Sequence, residues 1–253
     1  MAWRSAHTSC ETWWRALTLA GALATCGPTF AAHPLITEDT GTQGSGKFEL
    51  ENGFQRQHDG SDKSWEYAPQ LSYGLADSVD LIARLAWIEQ RSTDSRQRGL
   101  GDSVLDVKWR FHESGALTLG VRAGVDLPTG NADKGLGVGK ASVHGLFIAT
   151  LEAEPAFFHG NIGYTRGARD NERRDLWHAA IALLCTATPT LRLSAEAAAD
   201  SEPDPTRTMW QKVLGLGAIL TVREGFDVDV GLQRGIGSGS RGSTLLAGAT
   251  LRW

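Results

Sequence analysis

A period-two alternation of apolar and polar residues recurs about a dozen times along this 253-residue chain, and it limits the architecture more than any other feature. At the C-terminus, Leu245, Ala247, Ala249, Leu251 and Trp253 share one parity, while Thr244, Gly248, Thr250 and Arg252 take the other. Only an extended strand segregates side chains this way. Leu117, Leu119, Val121, Ala123, Val125 and Leu127 likewise form a continuous apolar face opposite Thr118, Arg122 and Asp126. Leu105, Val107, Trp109 and Phe111 alternate with Asp106, Lys108, Arg110 and His112, and Phe226, Val228, Val230 and Leu232 with Asp227, Asp229 and Gln233. Charge enters the centres of these runs but keeps to one parity, where water or an opposite charge can satisfy it.

The expected strands run approximately over 47–57, 65–75, 78–90, 101–112, 115–128, 138–151, 154–167, 175–187, 190–200, 208–222, 225–235 and 243–253. Most exceed the 5 or 6 residues usual in globular sheets and match the roughly 9 to 11 tilted residues that cross a hydrocarbon layer. Twelve is even, so both chain ends fall on one side. The fold class expected is therefore all-β, a transmembrane antiparallel β-barrel of twelve strands spanning 47–253. Short connections at 75–78, 113–115 and 224–225 alternate with longer ones at 58–64, 91–98, 128–135, 169–174, 201–206 and 236–242, which places the longer set outside the cell. Trp65, Tyr67, Tyr73, Trp87, Trp109, Phe111, Phe158, Tyr164, Trp177, Trp210, Phe226 and Trp253 supply rings suited to headgroup depth.

Residues 1–31 are set aside as a signal peptide. Arg4 and Arg15 precede the apolar run 16–26, and small residues at Thr29 and Ala31 suit cleavage. Removing that segment moves the formal net charge from −4 to −5 and leaves Cys185 as the single cysteine, so no internal disulfide holds the mature fold. No basic excess favours nucleic acid as a partner. No run after residue 31 supplies the roughly 18 apolar residues of a membrane helix, and the mean hydropathy of −0.23 is compatible with a barrel whose alternate side chains face a polar lumen. Residues 32–46 read as irregular, either periplasmic or plug-like.

Residues 33–44 (His-Pro-Leu-Ile-Thr-Glu-Asp-Thr-Gly-Thr-Gln-Gly) are followed by Phe48-Glu-Leu-Glu-Asn52. Further along come Gly99-Leu-Gly-Asp102, Gly124-Val-Asp-Leu-Pro-Thr-Gly130, and Glu154-Pro155 with Asn161-Ile-Gly-Tyr164. As a set these features resemble the outer-membrane protein family named for the meta-pathway of phenol degradation. The resemblance implies a bacterial outer-membrane barrel that passes small, often apolar molecules. It also implies that the terminal aromatic is an assembly signal read by the barrel assembly machinery, with Trp253 in place of the commoner phenylalanine.

The parity assigns Asp80, Arg84, Asp106, Lys108, Arg110, Arg122, Asp126, Glu152, Arg192 and Glu196 to the lumen lining, as a mutually paired network or as a charge and size filter. Catalytic chemistry finds little support. His112 with Ser114, and His144 with Ser142, are two residues apart and lack a defined orienting group, and Asp39, Asp102 and Asp133 form no compact metal-ligand pattern. The segment 135–140 lacks the full phosphate-loop spacing. The expectation is a monomer in outer-membrane lipid, with no cofactor and no enzymatic activity, serving as a passive channel for small molecules, hydrophobic or aromatic ones included. A structural or binding barrel with a closed lumen is the alternative. An outer-membrane lipid hydrolase stands further back.

Overall fold

The computed structural model describes residues 33–167, 172–207, 210–237 and 242–253. The expected signal peptide lies outside the described residues. The strands are β1 (Phe48–Asp59), β2 (Asp62–Ala76), β3 (Val79–Arg84), β4 (Trp87–Arg91), β5 (Arg96–Leu100), β6 (Ser103–Ser114), β7 (Leu117–Leu127), β8 (Ser142–Ala153), β9 (Ala156–Arg166), β10 (Asp175–Thr188), β11 (Leu191–Ser201), β12 (Trp210–Arg223), β13 (Phe226–Ile236) and β14 (Ser243–Arg252). β2 pairs with both β3 and β4, which are two halves of one wall strand, as are β5 and β6. Neighbours in sequence pair antiparallel, and β1 pairs with β14 as well as with β2, so the sheet closes as a twelve-stranded barrel.

The closing seam runs from Glu49 opposite Arg252 to His58 opposite Ser243. Trp253 extends it: its N–H donates to the Phe48 carbonyl at 3.1 Å and its carbonyl accepts from Phe48 at 2.9 Å, with the two rings stacked 5.7 Å apart. Closure leaves no open edge, which matters in lipid because unpaired backbone groups there have no water to bond.

The facing follows the alternation. Leu81, Leu105, Val107, Trp109, Ile162, Ile181, Leu216 and Leu232 are exposed on the outer surface, while Asp80, Asp106, Lys108, Glu196, Asp227 and Asp229 are buried within. A water-soluble barrel would bury the opposite parity. Part of the inner wall nevertheless departs from the expected polar lining, because Phe157, Leu184 and Ile219 form an inward apolar cluster and Ile148 is fully buried.

Two connections expected as long external loops are tight. β1 and β2 stay paired out to Asp59 opposite Asp62, and β4 and β5 form a hairpin turned by Ser92 and Ser95, whose backbones bond at 2.9 Å. Strand pairing continues there past the depth that lipid demands. The segment 128–141 is a true loop, in which the Asp102 carboxylate accepts from the backbones of Gly130 at 2.8 Å and Val138 at 2.7 Å and Leu136 is buried. The glycine-rich stretch 135–140 thus belongs to a packed loop rather than a phosphate cradle.

Residues 33–46 run inside the barrel. Gly46 donates to the Gly74 carbonyl at 2.8 Å, and a side chain at Gly74 would overlap the Gly44 backbone, with an added Cβ only 1.8 Å from its oxygen. Farther in, Pro34 lies so close to Gly217 and Gly231 that an added Cβ would meet it at 2.7 and 2.9 Å. Wall glycines therefore mark where the segment presses on the sheet.

The seam generates a test of the terminal residue. Removing Trp253 takes away two backbone bonds and a stacked ring where the sheet closes, so the yield of heat-modifiable folded barrel in outer-membrane fractions should drop several-fold, whereas Trp253→Phe should retain most of it. Equal yields for the deletion and the parent would show that the terminal aromatic has no part in assembly.

Candidate functional site: the lumen and its inner segment

The inner segment crosses the lumen from the short-turn end of β2 and β3 to the opposite wall. At its start, Thr42 donates to the Asp77 carbonyl at 2.8 Å, and the Gln43 backbone N–H is shared by both Asp80 carboxylate oxygens at 3.1 Å. Midway, the Thr40 N–H reaches Thr150 on β8 at 3.2 Å. Glu38 and Asn161 on β9 then form a reciprocal pair: the Glu38 N–H donates to the amide oxygen at 2.7 Å and the Asn161 amide donates to the Glu38 carbonyl at 2.9 Å. Glu196 on β11 accepts from the backbones of Ile36 and Thr37 at 2.8 and 3.1 Å and from the Thr37 hydroxyl at 3.1 Å. His33 Nδ1 sits 2.5 Å from Asp229 on β13. An irregular chain has no ladder of its own, so wall side chains take over the pairing of its backbone.

Charge concentrates around Glu38. Lys108 Nζ lies 2.8 Å from Glu38 and 3.4 Å from Asp39, while Arg122 reaches Glu38 at 2.6 Å, Asp106 at 2.7 Å and the Gln70 amide oxygen at 3.0 Å. His144 extends the network, its two ring nitrogens 2.8 Å from Asp106 and 3.2 Å from Asp126. A second cluster joins Arg192 and Arg252 to Asp227 at 2.9 Å each, with Arg252 also 2.7 Å from Glu49. Burial raises the Glu38 carboxyl, but the Lys108 ammonium and Arg122 guanidinium outweigh it and hold the group down to about 2.

These contacts sort the residues that parity assigned inward. Asp106, Lys108, Arg122 and Asp126 come together in the Glu38 network, Asp80 and Glu196 bind the inner segment, and Arg192 belongs to the second cluster. Arg84 pairs with Glu66. Arg110 sits at the short-turn rim, donating to the Asp77 carbonyl at 3.1 Å and pairing with exposed Glu113 at 3.2 Å. Glu152 keeps the inward parity, opposite Phe157, and stands exposed where β8 ends beside its turn to β9, away from the ion-paired network. Alternation assigns a face and is blind to height along the strand.

Glu38, Asp39, Glu49, Asn161 and Asp229 also take part in the site and were not among the residues assigned to the lumen lining. Asp229 and Glu49 carry the same parity signal as the others, but Glu38 and Asp39 lie in a segment with no periodicity at all. The histidine–serine pairs do not assemble a nucleophile. Ser142 donates to Asp126 at 2.5 Å and both His144 nitrogens face carboxylates, while His112 and Ser114 are exposed near a turn.

On the long-loop side of the inner segment the lumen opens into a cavity of about 570 Å³. Gln55, Gln57, Gln70 and Gln233 line its walls, and Leu35, Ile36, Val213 and Leu246 give it an apolar patch. Glu51, Glu66, Arg84 and Asp200 also face it, Glu66 and Arg84 as a pair, so the cavity combines glutamine amides and charged groups around a small greasy surface, above a constriction held by ion pairs.

Glu38→Gln removes the carboxylate from two buried cations, a change that costs on the order of 3 kcal/mol where buried pairs have been broken. Single-channel conductance in planar bilayers should rise several-fold as the segment loosens. A carboxyl held below its ordinary value of 4.5 stabilises the docked segment fully above that value, and the contribution disappears as pH falls through about 2. Conductance of the parent should therefore stay level from pH 7 to 5 and climb only in stronger acid. A Glu38→Gln channel indistinguishable from the parent would show that the charge network does not hold the constriction.

Comparison with known proteins agrees with the fold. The structure is similar to the COG4313 outer membrane channel from Pseudomonas putida F1, with a TM-score of 0.68 and 13% identity over 83% of this chain and 96% of that one. It is also similar to the KdgM porin, with a TM-score of 0.58 and 5% identity over 80% and 98% of the two chains. A third likeness is the beta domain of the Bordetella autotransporter BrkA, with a TM-score of 0.51 and 12% identity over 83% and 100%. No curated protein matches the sequence. The family described as "Putative MetA-pathway of phenol degradation" matches residues 31–253, and with its closed barrel, apolar exterior and charged interior the chain belongs to that family of outer-membrane barrels.

Proposed function

We propose that this barrel is a passive channel for small molecules, in which residues 33–46 act as a constricting plug and residues 1–31 direct export and are removed. The observation that carries the reading is the cavity of about 570 Å³ that ends on Leu35, Ile36 and Glu38 of the segment itself. A solute arriving from the long-loop side meets glutamine amides, an apolar patch, the Glu66–Arg84 pair and the carboxyl groups of Glu51 and Asp200 before it meets the ion-paired band. Such a lining suits a compact molecule with an apolar body and one or two polar substituents, an expectation in keeping with the family's description. A highly charged solute would have to pass Lys108, Arg122, Asp106 and Glu38, whose charges are already committed to one another. Movement down a gradient needs no cofactor, and the lumen-lining residues select by size and polarity. The chain would reach the membrane as a client of the barrel assembly machinery and function there as a monomer.

KdgM is described in complex with disordered oligogalacturonate. The paired charges and narrow bore of the present chain argue for smaller, less charged cargo.

Deleting residues 33–45 while keeping the signal peptide tests the reading. The deletion variant, once shown to be folded, should conduct at least several-fold better than the parent in planar bilayers. In liposome-swelling assays the parent should admit small hydroxylated aromatics in preference to sugars of similar mass, and the variant should lose that preference. A folded deletion variant that conducts no ions would favour the closed structural or binding barrel instead.

A further inference from the structure

The outer surface carries cations where lipid should be. Lys212 on β12, Arg234 on β13 and Arg56 on β1 share the outward parity of Leu214, Leu232 and Phe54, and each lies two or three residues from the long-loop end of its strand. Register makes the first two diagonal neighbours, because Lys212 stands opposite Ile236 and Leu214 opposite Arg234. Across β14, Leu245 stands opposite both Leu232 and Arg56. The Arg56 guanidinium lies 4.7 Å from the Trp65 ring centroid, and its Nε is buried with no hydrogen-bond partner. Neither Lys212 nor Arg234 has a carboxylate within ion-pair distance among the described residues. Cations on a lipid-facing wall are unfavourable unless a counter-charge meets them there.

A groove leads from one of these cations down the same wall. Ala179, Ala197 and Ala199 form its floor, Ile181, Leu214 and Ile236 rise beside it, and Lys212 closes its long-loop end; its volume is about 400 Å³. Register sets Ala199 directly between Ala179 and Lys212, and Ala197 between Ile181 and Leu214. One row nearer the loops, Trp177 and Trp210 mark headgroup depth on the same face. An apolar channel one side chain deep, running from headgroup level toward the membrane centre with an unpaired ammonium at its mouth, has the shape and charge of a seat for an acyl chain carrying a phosphate.

We propose that the outer wall of β10 to β13, continued to β1, binds the phosphorylated glycolipid of the outer leaflet, with an acyl chain in the alanine groove and its phosphates against Lys212, Arg234 and Arg56. The cations lie at the long-loop end, which the even strand count directs outward, so the outer-leaflet lipid is the source that reaches them. This binding is independent of whether the lumen conducts.

Native mass spectrometry of the purified, detergent-solubilised barrel tests it with diphosphoryl lipid A, its dephosphorylated form, phosphatidylethanolamine and phosphatidylglycerol as probes. The parent should retain one diphosphoryl lipid A at least tenfold more tightly than the dephosphorylated form or either phospholipid. Lys212→Gln with Arg234→Gln should abolish that preference. Ala197→Leu with Ala199→Leu fills the groove while leaving every charge in place and should weaken lipid A retention several-fold. Heat-modifiable gel mobility establishes that each variant is folded, and Lys212→Gln alone, expected to show a partial loss, serves if the double variant does not fold. Undiminished lipid A retention in the folded charge variants, equal retention of all four lipids, preference for phosphatidylglycerol, or a dimer that the alanine substitutions dissociate would each overturn the proposal. Conductance of the same preparations reads the channel function separately.

Discussion

Backbone groups in hydrocarbon have nowhere to bond except to each other, and from that constraint the rest of this structure follows. The pairing of β1 with β14, extended to Phe48 and Trp253, removes the last free edge. Once the sheet is closed, its two faces see different solvents, and the side chains of one parity enter a space too small for most of them to stay fully hydrated. Asp106, Lys108 and Arg122 then need partners, and part of that need is met by a segment that belongs to no strand.

The inner segment and the wall are mutually dependent. Residues 33–46 have no regular backbone pairing, so Asp80, Thr150, Asn161 and Glu196 accept their N–H groups. In return Glu38 supplies the carboxylate shared by Lys108 and Arg122. Glycines at 74, 217 and 231 make room for the backbone and for Pro34. The lumen is thus partly a packed interior, with Phe157, Leu184 and Ile219 on one side, and partly an open cavity above the constriction. A lumen filled this way differs from the wide aqueous bore of a large porin.

The outer wall shows a related economy. Leucine and isoleucine cover most of it, and the departures occur at the long-loop end, where Lys212, Arg234 and Arg56 stand near Trp65 and Trp210. Charge on the hydrocarbon side is tolerable only near the interface, and that is where these residues lie.

Alternation in the sequence determined which elements form and which way their side chains face, because a strand has only two faces and a closed sheet in lipid assigns them opposite solvents. The runs through Leu117–Leu127 and Phe226–Ile236 needed no tertiary information to be read. What alternation lacks is height and partnership. Glu152 shares the parity of Thr150 yet projects at the rim, and the two halves β3 and β4 join a wall strand across a break at Leu85 and Ala86 that no turn residue announces. Glu38 and Asp39 were invisible as site residues, since an irregular segment carries no period and its position depends on carboxylates and amides more than a hundred residues away, Asn161 and Glu196 among them. Only the closed barrel brings those groups to one level of one narrow lumen, and so only the tertiary structure decided that residues 33–46 lie inside the pore.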